Sequence, residues 1–566
     1  MAFAQETKAQ RVERLKREKN AWDHLDEIRE FARKGFDSIP PEWLGTYFRS
    51  WGVYTQGDGL GVTGGKGGEG RAVPFFMVRI RVPNGILTAR QVREIAALSD
   101  EHGNGVADIT VRQNIQLHWI RIESLPEVFE RLQAVGLRTT GACGDVTRNI
   151  TGCPLAGFDS RELLDVSPLV LAIDKELGGN PDFYNLPRKF KITVTGCPEW
   201  CSYPEINDIG LTATRRIRDG REEIGFSLRV AGGLSTEPHL AVRLDAFVRY
   251  EQVIPVVRAV TEVFRGSDVL RQSREKARLK YLFLANGWTA EAFLEAIHAH
   301  LPFRLDPAEP EALPAHVHRD HLGVIPQKQS GLFTVGASVV RGRITPTQLR
   351  AAAELSERYA DELIRATPMQ NLLLVNVPEM NVNAVVAALE FHGLPVHSSV
   401  FVRGTVACTG SEFCKLALTE TKGFARWVTE QLDERLPNFA DHFKLHITGC
   451  PNSCGQHWIA DIGIEGKKIK VDGKFVDAYY FCVGGGVGQL SAIARPVGYR
   501  CRAEEVPDAI TRLLTEFQSR RHGTENLQKF LSHHSNEDIR AILAGHPTVP
   551  ALRDIPEGPV PHGAEG

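Results

Sequence analysis

"KLHITGCPNSCGQHWIADIG" spans residues 444–463, and "KITVTGCPEWCSYPEINDIG" spans residues 191–210. Lys191 and Lys444, Cys197 and Cys450, Cys201 and Cys454, and Asp208 and Asp461 are each separated by 253 positions. A cysteine-bearing turn written twice implies a duplicated chain, and the flanking sequence extends the repeat. "ILTARQVREIAALS" (86–99) matches "RITPTQLRAAAELS" (343–356), and "RQNIQLHWI" (112–120) matches "MQNLLLVNV" (369–377), both at an offset of 257. Ala142-Cys143 matches Ala407-Cys408 at 265, and "VAGGL" (230–234) matches "VGGGV" (483–487) at 253. The smaller unit reads strand, helix, strand, because β-branched alternation brackets a helical period. The pattern predicts an internally duplicated α/β (α+β) protein, each half holding a small unit and a larger one.

The expected boundaries are 1–70 for an N-terminal helical arm and covering loop, 71–138 for the first small unit and 139–301 for the first large one. The second small and large units fall at 329–400 and 401–545, and 546–566 forms a Pro/Gly-rich arm. Residues 8–34 read as a charged helix, and the weakly patterned stretch near 302–328 joins the halves. The glycine-rich "TQGDGLGVTGGKGGEG" (55–70) invites a phosphate-loop reading that fails: Gly65-Lys66 needs Gly at 60, which is Leu, and Ser or Thr at 67, which is Gly.

A net charge of −2 gives no reason to expect nucleic acid as a partner. No apolar run approaches the roughly 20 residues of a membrane span. The charged N-terminus lacks the apolar core of a secretory signal, so a cytoplasmic protein is expected. In that reducing compartment the ten cysteines are expected to serve metal ligation, catalysis or packing rather than disulfides.

The two copies differ in what they keep. The second holds "CTGSEFC" (408–414) and "CPNSC" (450–454), so Cys408, Cys414, Cys450 and Cys454 form two pairs on two loops. Four thiolates so placed suit an iron–sulfur cubane. A zinc site is the alternative, and its usual ligand spacings of about two to four residues fit Cys-x5-Cys poorly. In the first copy Asn149 stands where Cys414 would be, so no cluster is expected there. Instead Arg79, Arg112, Arg148 and Lys189 correspond to Gly336, Met369, Phe413 and His442. Joint loss of cations at four matched positions points to one anion-binding pocket.

With these motifs assembled, the chain resembles the sirohaem-dependent nitrite/sulfite reductases, most closely the bacterial ferredoxin-dependent members. The resemblance runs from about residue 45 to 540 and rests on "CTGSEFC…TGCPNSC", "GDVTRN" (144–149) and "LPRKFK" (186–191). It implies two ferredoxin-like half-domains, two larger domains for sirohaem and a [4Fe–4S] cluster, and Cys454 as the thiolate shared by cluster and haem iron. It implies a substrate pocket of Arg79, Arg148, Lys189 and Lys191. Arg81, Thr110, Arg112, Gln113, Gln116, His118 and Asn452 match positions that hold the macrocycle or its carboxylates. Tyr54 and Cys143 match a pair that some members link covalently.

The implied activity is six-electron reduction of sulfite by a monomer fed by a ferredoxin-like donor, for which the basic stretch "RQSREKARLK" (271–280) is a candidate face. Lys191 carries the choice of sulfite, because plant-type nitrite reductases typically hold Asn there. Nitrite reduction on the same scaffold is the first alternative. A precorrin-3B synthase and an iron–sulfur carrier without haem are further ones, and the retained cations argue against a pure carrier.

Overall fold

The computed structural model describes residues 6–61, 70–315 and 319–546. Four five-stranded sheets carry the chain, two small-unit sheets and two large-unit sheets, as the duplication predicts. The large sheets have the same order. In the first, Val242–Arg249, Arg221–Val230 and Ile209–Arg218 run antiparallel, and Ile192–Thr195 and Thr151–Gly152 continue in parallel. In the second, Arg495–Arg502, Lys474–Val483, Ile462–Val471, Leu445–Thr448 and Thr405–Ala407 repeat this arrangement. The backbone itself is duplicated. Left-handed residues recur at Asn84 and Arg341, Gln113 and Gln370, and Trp119 and Asn376, and again at Trp200 and Ser453, Tyr203 and Gln456, and Asp219 and Asp472. Only a retained fold keeps so costly a conformation at matched sites, in four of the six pairs with a changed side chain.

The small sheets are interleaved. Ile86–Thr88 of the first half pairs with Leu363–Ala366 of the second, setting Leu87 opposite Ile364. Reciprocally, Arg343–Ile344 of the second half pairs with Ala107–Ile109 of the first, setting Ile344 opposite Ala107. Each half-domain thus adds the terminal strand to the other's sheet. The helices Ala89–Glu101 and Pro346–Tyr359, both opened by Thr–Gln capping boxes, supply apolar faces to one core shared by both halves. Gln113 and Gln370 lock the exchange. Gln113 donates to the Ala366 carbonyl (3.0 Å) and accepts from the Gly152 amide (3.0 Å). Gln370 donates to the carbonyls of Ile109 (2.9 Å) and Ala407 (3.0 Å) and accepts from the Ala407 amide (3.1 Å).

Several expected boundaries move. The outer strand of the first small sheet is Val53–Gly57, inside the segment expected to be an arm and loop. The matching strand Gly323–Pro326 lies within the expected connector. Both belong to sheets because their alternate side chains continue the half-domain faces, a signal too short to separate from loop by pattern alone. Residues 8–34 form two helices, Lys8–Glu18 and Leu25–Lys34, split by a turn capped by Asn20. Their apolar residues Leu15, Ile28 and Phe31 enter the shared core. Most of the glycine-rich loop and the C-terminal arm fall outside the described residues.

Replacing either lock leaves buried backbone groups unpaired, at about 1–3 kcal/mol each. Gln113→Ala and Gln370→Ala should each lower the thermal midpoint by several degrees, by calorimetry, while folded protein keeps its full cofactor content. Unchanged midpoints would remove the glutamines from the interlock.

Candidate functional site

The quoted turns fold alike for a local reason. In each copy a strand runs into the cysteine turn, and the aspartate at its far end accepts from the amide at the strand's start. Asp208 accepts from the Lys191 amide (2.9 Å) and Asp461 from the Lys444 amide (2.7 Å). This closes the loop and aims its cysteines.

In the second copy Cys408, Cys414, Cys450 and Cys454 come together. Burial pushes the Cys450 thiol up, and Cys454, Cys408 and Cys414 around it push the same way. Burial, with Cys454 and Cys408, raises Cys414 to about 12. Such thiols give up their protons when a metal takes its place. The Gly449 amide donates to Cys408 Sγ (3.3 Å), and Asn452 Nδ2 to Cys450 Sγ (3.6 Å), the kind of donor that settles charge on a ligating sulfur. Among the described residues, only Cys153–Cys201–His321 and Glu101–His102–Glu127 converge tightly enough for a single ion. The four clustered cysteines stand wider, which suits a multi-iron cluster better than one zinc. The ends of the glycine-rich loop lie on this turn: the Gly57 amide donates to the Phe413 carbonyl (2.9 Å). A Cβ at Gly57 would meet Lys415 Cα at 3.0 Å, and one at left-handed Gly61 would meet the Leu418 carbonyl at 2.8 Å. Glycine is there for close approach, not for phosphate.

The first copy supplies cations. Arg79 Nη1 lies 3.0 Å from Cys143 Sγ, its guanidinium is 6.0 Å from the Tyr54 ring, and its Nε is buried without a partner. Arg148 bonds only to the Gly144 and Ala142 carbonyls. Lys189 and Lys191 have no side-chain partner among the described residues. Burial, then the cations Arg278 and Arg188, brings Lys189 down to about 7, although Cys454 opposes them. Burial and Lys189, Arg278 and Arg112 hold Lys191 well below the ordinary lysine range, against Asp208. Burial lowers Arg112 to about 9; it donates to Asn207 Oδ1 (2.7 Å) and the Asn149 carbonyl (2.6 Å), with Nε left over. Buried cations facing each other with so little counter-charge make a receptor for anionic groups. Cys454 acts electrostatically on both Arg79 and Lys189, so the cysteine cluster and the cationic pocket adjoin.

Other expected residues are committed elsewhere. Arg81 donates to Asp174 Oδ1 (2.5 Å) and to the Gly141 and Thr147 carbonyls, while its Nη2 is buried without a partner. Gln113 is spent on the interlock. His118 is fully buried between Gln56 (3.0 Å) and Asp108 (3.0 Å) and stacks on Phe413 at 4.1 Å, so it backs the cluster loop. Thr110 accepts from the Arg112 and Asn114 amides and shapes the turn carrying Arg112. Gln116 lies opposite Arg79 across paired strands. The 271–280 stretch turns inward instead of facing a donor: Arg271 pairs with Glu13, Arg274 with Asp145 and Arg278 with Asp208. Its charges find buried carboxylates that linear sequence cannot pair with them. Arg278 and Arg188 thereby join the pocket, and sequence reading missed both; Arg188 stands inside "LPRKFK", next to Lys189.

The family model for the nitrite and sulphite reductase 4Fe-4S domain matches residues 143–305 and 398–543. The model for the nitrite/sulfite reductase ferredoxin-like half domain matches 70–135 and 325–392. The chain is 37% identical to a protein of Mycolicibacterium paratuberculosis named sulfite reductase [ferredoxin] 1, over 91% of this chain and 92% of that one. It is 36% identical to the assimilatory ferredoxin-dependent nitrite reductase of Haloferax mediterranei, over 89% and 88%. The solved structure of the Mycobacterium tuberculosis NirA protein superposes with a TM-score of 0.88 at 36% identity, covering 94% of this chain and 97% of that one.

Cys450→Ser should empty the purified protein of most of its iron, by metal analysis and electron paramagnetic resonance, whereas Cys197→Ser should leave the iron in place. Equal losses would break the division between the copies.

Proposed function

The chain belongs to the nitrite and sulfite reductase family, and we propose that within it this protein reduces sulfite to sulfide, as a cytoplasmic monomer taking electrons from a ferredoxin-like donor. The observation that carries the proposal is the set of buried cations, Arg79, Arg148, Lys189 and Lys191, with Lys189 and Lys191 making no ion pair among the described residues. They fit a polycarboxylate macrocycle and a small oxyanion together. Sirohaem, when bound, would supply a redox-active iron for the substrate, and Cys408, Cys414, Cys450 and Cys454 would hold a [4Fe–4S] cluster supplying electrons. Cys454, which acts electrostatically on both Arg79 and Lys189, would be the cluster ligand nearest the cationic pocket, in keeping with the role the family resemblance implies for it.

The chain's own residues do the rest. Arg79 and Arg148 hold the anion's oxygens in a pocket where charge is weakly screened. Lys189, drawn down to about 7, holds a proton near ambient affinity and can give it to a departing oxygen. Reduction of sulfite removes three oxygens as water and consumes six protons and six electrons. Asn452 is exposed and donates to Cys450 Sγ, and it would face the macrocycle.

Lys191 supports sulfite over nitrite. Sulfite brings up to two negative charges near neutral pH and nitrite one, so an additional buried cation favours the more highly charged anion. Nitrite reduction is the second reading, and relatives of both names cover most of the chain. Lys191→Asn should lower kcat/KM for sulfite at least about tenfold more than for nitrite, some 1.4 kcal/mol of selective transition-state binding. Assays with a reduced viologen donor read both substrates. Wild-type protein that turns over nitrite briskly and sulfite barely at all would overturn the choice and leave the fold and cofactors standing.

A covalent Tyr54–Cys143 link is also part of the proposal: a ring C–H and the S–H bond would be lost to a two-electron oxidant such as dioxygen as the C–S bond forms, and both side chains flank Arg79. Peptide mapping under reducing conditions should recover the two segments as one joined species. Recovery only as separate peptides refutes the link.

A further inference from the structure

The first copy of the cysteine turn has its own destination. Cys197 and Cys201 match Cys450 and Cys454, but they point into the core of the first large domain with Cys153. Cys153, Cys201 and His321 bring one ligand atom each to within 4.8 Å of one another. Cys197 Sγ lies 3.8 Å from Cys153 Sγ. That is too long for a disulfide, whose sulfurs sit about 2.05 Å apart. It equals the edge, about 3.8 Å, of a tetrahedron with metal–sulfur bonds of about 2.3 Å, the zinc–thiolate value. All four residues are nearly sealed, at 1% (Cys153), 4% (Cys197), 3% (Cys201) and 2% (His321) exposure.

Two observations besides the thiols point to a ligand. Both ring nitrogens of His321 are buried without a hydrogen-bond partner, although a buried imidazole ordinarily uses at least one. Two cations also attend the thiols. Arg319 interacts with Cys153 and Cys201, and Arg365 with Cys153, and Arg365 keeps Nε and Nη1 buried and unpaired. Arg319 is paired with Asp159, and Asp165 is the first carboxylate acting on Arg365, so acidic groups balance part of this charge. Three thiolates around a divalent ion would add one net negative charge beside the unpaired nitrogens of Arg365.

We propose that Cys153, Cys197, Cys201 and His321 form a structural zinc site, distinct from the four-cysteine cluster of the second copy. Three sulfurs and one nitrogen are a structural zinc set: Cys153, Cys201 and His321 already converge, and Cys197, beside Cys153, would move in to close the fourth position. The site is too compact for a cubane, whose ligands stand off around four irons. Its mechanical role follows from its parts. Cys153 follows the strand Thr151–Gly152, Cys197 and Cys201 follow Ile192–Thr195, and His321 comes from the connector between the halves. The ion fastens that connector to the first large domain just before Gly323–Pro326 enters the second small sheet. The close seat of the connector is already built: a Cβ at Gly336 would collide with the His321 carbonyl.

The test uses holoenzyme expressed with zinc in the medium. Metal analysis should find about one zinc per chain beside the iron, and zinc-edge X-ray absorption should give about three sulfurs near 2.3 Å and one nitrogen near 2.0 Å. Cys153→Ser and His321→Ala should lose the zinc, keep the iron and the visible spectrum, and unfold at lower temperature. Where a variant fails to fold, absorption on the wild-type protein decides by itself. Wild-type protein without stoichiometric zinc, with the three thiols alkylated only after denaturation, would reduce the cluster to packed free cysteines and overturn the site. A disulfide among the three peptides, or iron lost in place of zinc, would overturn it as well.

Discussion

The reciprocal exchange of Ile86–Thr88 and Arg343–Ile344 between the small sheets is the constraint on which the rest depends. Neither half-domain has a complete sheet of its own, so the halves must fold as one body around one core. The exchange fixes a pseudo-twofold relation between the two large domains that follow. It thereby brings the cysteine turn of the second copy against the cationic strands of the first. A site assembled from Arg79, Lys189 and Cys454 cannot form in either half alone.

Within that symmetry the copies have diverged by charge. The Asp208 and Asp461 carboxylates do the same structural work, each closing its turn onto a lysine amide. Around Asp208, however, stand Arg278, Arg112, Lys189 and Lys191, and one carboxylate cannot neutralise four buried cations. Left alone, such a pocket costs folding free energy. Bound carboxylates and oxyanions would return it, so cofactor loading and stability are expected to be linked. The second copy shows the opposite economy: thiols raised by burial and mutual proximity release that strain on giving their protons up to metal.

The connector between the halves is part of this arrangement. It supplies the outer strand Gly323–Pro326, and His321 lies beside the buried thiols Cys153 and Cys201 of the first large domain. Its backbone approaches Gly336 so closely that no larger residue fits there. A segment with little pattern in its sequence is thus held as tightly as a strand.

The sequence by itself determined the duplication, the four units and the second copy's Cys-x5-Cys and Cys-x3-Cys loops, because repeats and ligand spacings are local or periodic signals. It also singled out Arg79, Arg112, Arg148 and Lys189, since loss of charge at matched positions is visible without coordinates, whereas Lys191, matched by Lys444, was named only through the family resemblance. Tertiary structure alone decided the strand exchange, because pairing partners some 250 residues apart leave no local trace. It decided that Gln113 and His118 are held by the Ala366 carbonyl and Asp108, and that Arg81 is anchored on Asp174, since a polar side chain's partners depend on what else is buried beside it. It turned the 271–280 basic run inward onto Glu13, Asp145 and Asp208. And it gathered Cys153 and His321, 168 positions apart in the chain, around Cys197 and Cys201. Ligand sets drawn from distant loops exist only once the core has fixed where those loops meet.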